Sequence, residues 1–163
     1  MMKNVKHKKP TLKIKYCVMK KLILVFLMII LAGCNSQKKY VNFDYSFARS
    51  GGISPIYENL LIKGNKAYYS YEGQGKIIKK DFTLSNEDLL LIEQTLTENN
   101  FRKIQEDYKK LYDNSTIEIT VKRGNNSGNK SNASLIMKKN QQQWDNIVTV
   151  FQQMIDRNIN PDS

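Results

Sequence analysis

The sequence predicts an α+β fold: an antiparallel sheet of about six strands with two helices packed on one face, in the order ββββαββα. Three observations carry that expectation. From Tyr40 to Leu84 apolar and polar residues alternate with a period of two between glycine-bearing turns. At Ser85 the period lengthens to that of a helix. The chain then closes on a longer stretch whose apolar residues recur every three or four positions.

Val41, Phe43, Tyr45 and Phe47 alternate with Asn42, Asp44 and Ser46, which places four large apolar groups on one face of a first strand ending at Ser50-Gly51-Gly52. Ile53-Ser54-Pro55 extends the loop. Tyr57 to Ile62 and Lys66 to Glu72 are the next two strands, joined across Lys63-Gly64-Asn65, where Gly-Asn suits a tight hairpin turn. Tyr69 and Tyr71 share a face with Ala67, while Tyr68, Ser70 and Glu72 point the other way. After Gly73-Gln74-Gly75, Lys76 to Leu84 forms a fourth strand with Ile78, Phe82 and Leu84 on one side and Ile77 on the other.

Ser85-Asn86-Glu87-Asp88 has the form of an acidic capping box, with Ser85 placed to cap the Asp88 amide and two carboxylates near the positive helix end. Leu89, Ile92 and Leu96 line one face of the helix, which fades near Asn99-Asn100 and leaves Phe101 and Ile104 to tuck back into the core. Arg102 to Asn114 is a polar connection. Thr116 to Lys122 alternates with Ile117, Ile119 and Val121 inward, and a flexible turn at residues 124–129 leads to a weaker strand around Ser134 to Lys138. Trp144, Ile147, Val148, Phe151, Met154 and Ile155 form the stripe of the second helix, whose other side carries Asp145, Asn146, Gln152, Gln153 and Asp156, and Pro161 ends it.

Ahead of this domain, eleven apolar residues, Leu22 to Ala32, follow Lys20 and Lys21 and lead into Leu31-Ala32-Gly33-Cys34. A bilayer-spanning helix needs about 20 apolar residues, and a buried core helix would usually show a polar face. The segment resembles a bacterial lipoprotein signal peptide with its lipobox: small side chains at the cut, and a thiol at the new N-terminus to receive lipid. The resemblance implies residues 19–33 as signal peptide, residues 34–39 as a lipidated tether, and residues 40–160 as a single domain. It also implies Met19-Lys20-Lys21 as the start, with residues 1–18 an upstream extension. Cys34 would carry a diacylglyceryl group and an N-acyl chain and no other cofactor, anchoring the protein to a membrane of the bacterial cell envelope.

That leader changes the charge argument. The chain holds 26 basic and 15 acidic residues, but eight of the lysines precede Cys34, leaving 18 against 15 and a net charge of +3. The nucleic-acid signature of the whole chain disappears with them. The only histidine, His7, and the other cysteine, Cys17, also precede Cys34. The commonest general base and metal ligand are thus missing from residues 34–163, so no catalytic or metal-binding residue is assigned and the chain reads as a non-enzyme. The acidic pairs Glu87-Asp88 and Glu106-Asp107 fit a helix cap and a lysine-flanked solvated stretch better than a catalytic dyad.

Two features remain as candidate binding residues. Tyr68 sits in the tyrosine-rich hairpin, where an outward tyrosine brings large contact area at low entropic cost, although strands favour tyrosine for packing too. Arg49-Ser50-Gly51-Gly52 reads as a shaped loop after a buried strand, with Arg49 at its edge. Phe47-Ala48-Arg49-Ser50-Gly51-Gly52, the later leucine helix, Phe101 and the strand after Asp113 resemble, in order, the emfourin type of small metalloprotease inhibitor. No inhibitory residue transfers by position, and the extra hairpin strands and the anchor depart from that pattern. The expected function is a membrane-anchored, non-enzymatic binding module for an envelope protein or peptide, with an envelope protease inhibitor as the alternative and a structural envelope component third.

Overall fold

The computed structural model describes residues 42–109 and 115–159. The leader, the lipobox Leu31–Cys34, the tether, Tyr40, Val41 and Pro161 lie outside the described residues, as does 110–114 of the polar connection.

Six strands, β1 (Tyr45–Gly51), β2 (Ile56–Lys63), β3 (Lys66–Gly73), β4 (Lys76–Thr83), β5 (Ser115–Val121) and β6 (Gly128–Ser131), form one antiparallel sheet in the order β4-β3-β2-β1-β5-β6. The β2–β3 turn uses Gly64 at φ 58°, and the β3–β4 turn uses Gln74 and Gly75 at φ 49° and 73°. In the β3–β4 turn the left-handed angles at both central residues are those of a type I′ turn, whose twist matches that of the flanking strands. Long-range pairing places β5 beside β1, so β1 is bonded on both edges.

Two boundaries differ from the sequence-based expectation. β1 begins at Tyr45, although the Asp44 backbone still bonds to both sides, its N–H donating to Ile62 O (2.7 Å) and its C=O accepting the Lys122 N–H (2.8 Å); its carboxylate accepts the Gly64 N–H (2.8 Å) and pairs with Lys63 Nζ (2.9 Å). Phe43 lies under the Lys122 ammonium, whose nitrogen is 3.8 Å from the ring centroid. The strand expected at 134–138 forms instead at Gly128–Ser131, and the later segment keeps only a Glu106–Ile136 bridge. β6 has no apolar alternation. Polar contacts hold it: the Asn129 amide donates to Glu118 and Thr120, and the Ser131 N–H donates to Glu106.

Helix α1 (Asn86–Glu98) starts on the expected capping box, with Ser85 Oγ accepting the Asp88 N–H (3.1 Å) and Asp88 Oδ2 accepting the Ser85 N–H (3.0 Å). It ends at Asn99, Asn100 turns left-handed at φ 49°, and Phe101 and Ile104 are buried as their spacing predicts. Helix α2 (Gln141–Ile159) buries the whole predicted stripe, Trp144 to Ile155. Phe151 stacks on Phe47 with centroids 5.8 Å apart, which fixes α2 across the middle of the sheet. Every sheet residue in the core cluster, among them Tyr45, Phe47, Leu60, Ile62, Tyr69 and Ile119, lies on this one helix-covered face.

Candidate functional site

The Arg49–Gly52 segment is not a loop with Arg49 at its edge. Arg49, Ser50 and Gly51 belong to β1 and pair with both Glu58, Tyr57 and Ile56 of β2 and Ile117, Thr116 and Ser115 of β5; only Gly52 is in the turn. The glycine expectation itself holds, because Gly51 and Gly52 take φ of 96° and 93°, angles that side chains rarely allow.

Arg49 shares the helix-covered face with Phe47. There its guanidinium lies 2.8 Å from Glu58 Oε2, with side chains 31% and 6% exposed respectively. Glu58 Oε1 accepts the Tyr69 hydroxyl at 2.8 Å. Burial, then that hydrogen bond, push the Tyr69 hydroxyl well above the usual phenol range. The contact is one of charge more than alignment, since Arg49 Nε has no hydrogen-bond partner among the described residues. Arg49 is thus already neutralised by a buried carboxylate. The trio reads as a packing element, in which a strand-borne charge is made tolerable by its cross-strand neighbour.

Tyr68 lies where the alternation puts it, on the sheet face opposite the helices and half-buried. The register assembles that face in rows. Ser46, Leu61, Tyr68 and Asp81 form one, and Ala48, Asn59, Ser70 and Lys79 the next. Ser50, Tyr57, Glu72 and Ile77 form the third. Small side chains therefore occupy the centre, and large ones stand at β2, β3 and β4. Arg49 and Tyr68 fall on opposite faces, so the two candidate features do not join into one site.

The third row runs into a cleft of about 330 Å³ that Pro55, Tyr57, Glu72, Gly73, Lys76 and Ile77 line. Tyr57 is 62% exposed, Ile77 68% and neighbouring Ile53 97%, so apolar surface gathers at this end of the sheet. Gly73 belongs to its floor by necessity: a Cβ there would sit 2.8 Å from Ile56 Cγ2 and 3.2 Å from Ile56 Cα. Sequence reasoning placed Ile77 outward but assigned it no role. The missed signal was Lys76-Ile77-Ile78-Lys79-Lys80, a strand too charged on both faces to lie inside a sheet.

Asp44, Asp88 and Asp107 have structural work. Burial alone would raise Asp44, yet the Gly64 amide and Lys63 together hold it below the ordinary carboxylate range. Asp88 is paired with Arg157 at 2.8 Å, joining the start of α1 to the end of α2. Asp107 pairs with Lys109 in the lysine-flanked stretch. No group of three or more histidine, cysteine or acidic residues is placed to hold a metal among the described residues. Scans against protein-family models and against curated proteins found no match.

Proposed function

We propose that this protein is a lipoprotein of the bacterial cell envelope, anchored through acylated Cys34, whose domain binds an envelope protein or peptide and catalyses no reaction. The anchor half rests on the lipobox resemblance of Leu31-Ala32-Gly33-Cys34 behind a basic and apolar leader. The binding half rests on one observation above the others: an apolar cleft with exposed Tyr57 and Ile77 opens at the outer end of the strands, on the face opposite the two described helices. No helix among the described residues is long and apolar enough to cross a membrane, which is compatible with anchoring by lipid.

Both halves are measurable. Radiolabelled palmitate enters the wild-type chain and not Cys34→Ala; label retained by the variant overturns the anchor. Thermal melting against a panel of peptides, glycans and lipids should give a rise of about 10 °C at a hundredfold excess over Kd for a true ligand. Unchanged melting across the panel rejects the binding role, and turnover of any substrate abolished by one point change rejects the non-enzyme reading.

A further inference from the structure

We infer that the ribbon formed by residues 105–108 and 135–137 is a second membrane contact, which lays Tyr108, Leu135 and Met137 into the headgroup layer of an anionic bilayer while Lys103, Lys138 and Lys139 meet its phosphates. This goes beyond the cleft and rests on the anchor half of the reading above. Outside the sheet, Glu106 and Ile136 pair as an antiparallel bridge, closed by the Asp107 N–H on Leu135 O and the Met137 N–H on Gln105 O, both 2.9 Å. Alternation sends Ile136 inward, where it is 5% exposed, and turns Leu135 and Met137 outward, at 40% and 37%. Tyr108 stands out further, at 83%. Tyr108 and Leu135 both take left-handed angles, φ 55° and 58°, at positions that glycine would occupy without strain. Neither side chain belongs to the core cluster, so these turns hold large apolar groups in water where folding does not require them.

Charge identifies the occupant. Residues 102–109 and 135–140 hold five basic residues against Glu106 and Asp107, a net +3 that equals the net charge of the whole of residues 34–163. Positive charge is gathered here and balanced elsewhere. Arg102 turns to Asn125 O at 3.5 Å and Lys109 pairs with Asp107, whereas Lys103 is exposed just ahead of the ribbon and Lys138 and Lys139 directly after it. The Gln105 N–H donates to Asn140 Oδ1 at 3.3 Å, which holds the two lysine-bearing segments together. Apolar side chains rimmed by lysines match the boundary of an anionic bilayer, and tyrosine is favoured at that depth. The tether can reach. Ser131, whose N–H donates to Glu106, lies three strand residues and two strand spacings from Tyr45, about 14 Å. Eight residues of tether span at most about 29 Å, so acylated Cys34 and the ribbon can meet one bilayer.

The test uses the full-length acylated chain carrying Tyr108→Trp, on vesicles of phosphatidylcholine alone or of an equal mixture with phosphatidylglycerol. Trp144 is buried and gives a constant background. On the mixed vesicles the new indole shifts its emission to the blue and is quenched by brominated acyl chains; on phosphatidylcholine it stays as in water, and high salt reverses the shift. Each lysine near an anionic surface contributes about a fivefold preference, so Lys138→Glu with Lys139→Glu lowers the inserted fraction at least about tenfold while the chain stays on the vesicles through its acyl group. Emission that is equal on both vesicles, or indifferent to the two lysines, overturns the proposal. An indole unmoved by anionic vesicles but shifted by polyglutamate also overturns it, because the face then docks an acidic protein. Flotation separates the two readings. A chain that leaves phosphatidylcholine vesicles lacks the acyl anchor, and the ribbon then stands or falls by whether phosphatidylglycerol brings it back. A chain that floats with both vesicles and keeps its indole in water refutes the ribbon and leaves the anchor standing.

Discussion

The Arg49–Glu58–Tyr69 trio makes an asymmetric prediction. Arg49→Met leaves the Glu58 carboxylate, 6% exposed, with only the Tyr69 hydroxyl as partner. Breaking a buried pair by removing one member costs about 3–5 kcal/mol, and the surviving hydrogen bond puts this variant near the lower end, about 3 kcal/mol. Glu58→Gln keeps an oxygen to accept the Tyr69 hydroxyl and leaves a guanidinium that is 31% exposed and reaches water. Its cost is about 1 kcal/mol. The triple variant Arg49→Met, Glu58→Leu, Tyr69→Phe removes all three polar groups together and is expected within about 1 kcal/mol of wild type, or above it.

Urea unfolding reads these differences directly, because the only tryptophan, Trp144, is buried against the core and reports its opening. With a slope of about 2 kcal/mol/M, the midpoint falls by about 1.5 M for Arg49→Met and about 0.5 M for Glu58→Gln. A Glu58→Gln loss equal to or larger than that of Arg49→Met refutes the assignment of the buried carboxylate as the costly partner. A triple variant as unstable as Arg49→Met refutes the claim that charge, and not shape, sets the loss.

Phe151→Ala removes the ring stacked on Phe47 and should cost about 3–5 kcal/mol in the same unfolding assay. Gly73→Ala forces a Cβ against Ile56 and costs about 1–3 kcal/mol, only partly recovered by Ile56→Ala because the Ile56 Cα remains 3.2 Å away. Ser85→Ala loses the α1 cap and about 1 kcal/mol, seen as a lower melting temperature. Asp44 is ionised more readily folded than unfolded, so its contribution is complete above the unfolded carboxylate range, near pH 4, and is lost as pH falls through the lower folded value. Asp44→Asn should therefore lower the melting temperature at pH 7, and the gap to wild type should close as the pH drops below about 4.

What could be read from sequence was the part written in local periods. The three-strand meander, the Ser85 cap, the α2 stripe and the return of Phe101 and Ile104 each depend on neighbours within a few residues, and each stands in the structure. What escaped depends on partners far along the chain. Arg49 looks like a loop residue because a glycine pair follows it, yet Ile117 and Glu58 on flanking strands keep it in β1. Nothing in the sequence announces the β1–β5 pairing that makes this possible. β6 was invisible for a related reason: Gly-Asn-Lys-Ser carries no apolar face, and its order comes from side-chain bonds to Glu118, Thr120 and Glu106. Tyr68 was placed on the correct face, because alternation decides that alone.

The geometry of the strands links the two halves of the functional proposal. β1 enters at Tyr45, in register with Ile62 of β2, Ala67 of β3 and Phe82 of β4, whereas the cleft lies at the other end, where Gly51, Ile56, Gly73 and Lys76 are in register. Six residues of extended strand separate those rows, about 20 Å. With Cys34 acylated, the chain that reaches the described domain at Asn42 is eight residues long and spans at most about 29 Å. The cleft therefore lies about 20 Å along the strands from the row of Tyr45, at which the first strand begins. Lengthening the tether should leave the affinity of a ligand for the cleft unchanged, because the cleft residues all belong to the folded domain. Capture of a partner embedded in the same membrane should weaken as the tether grows, since the effective concentration of tethered sites falls with linker length.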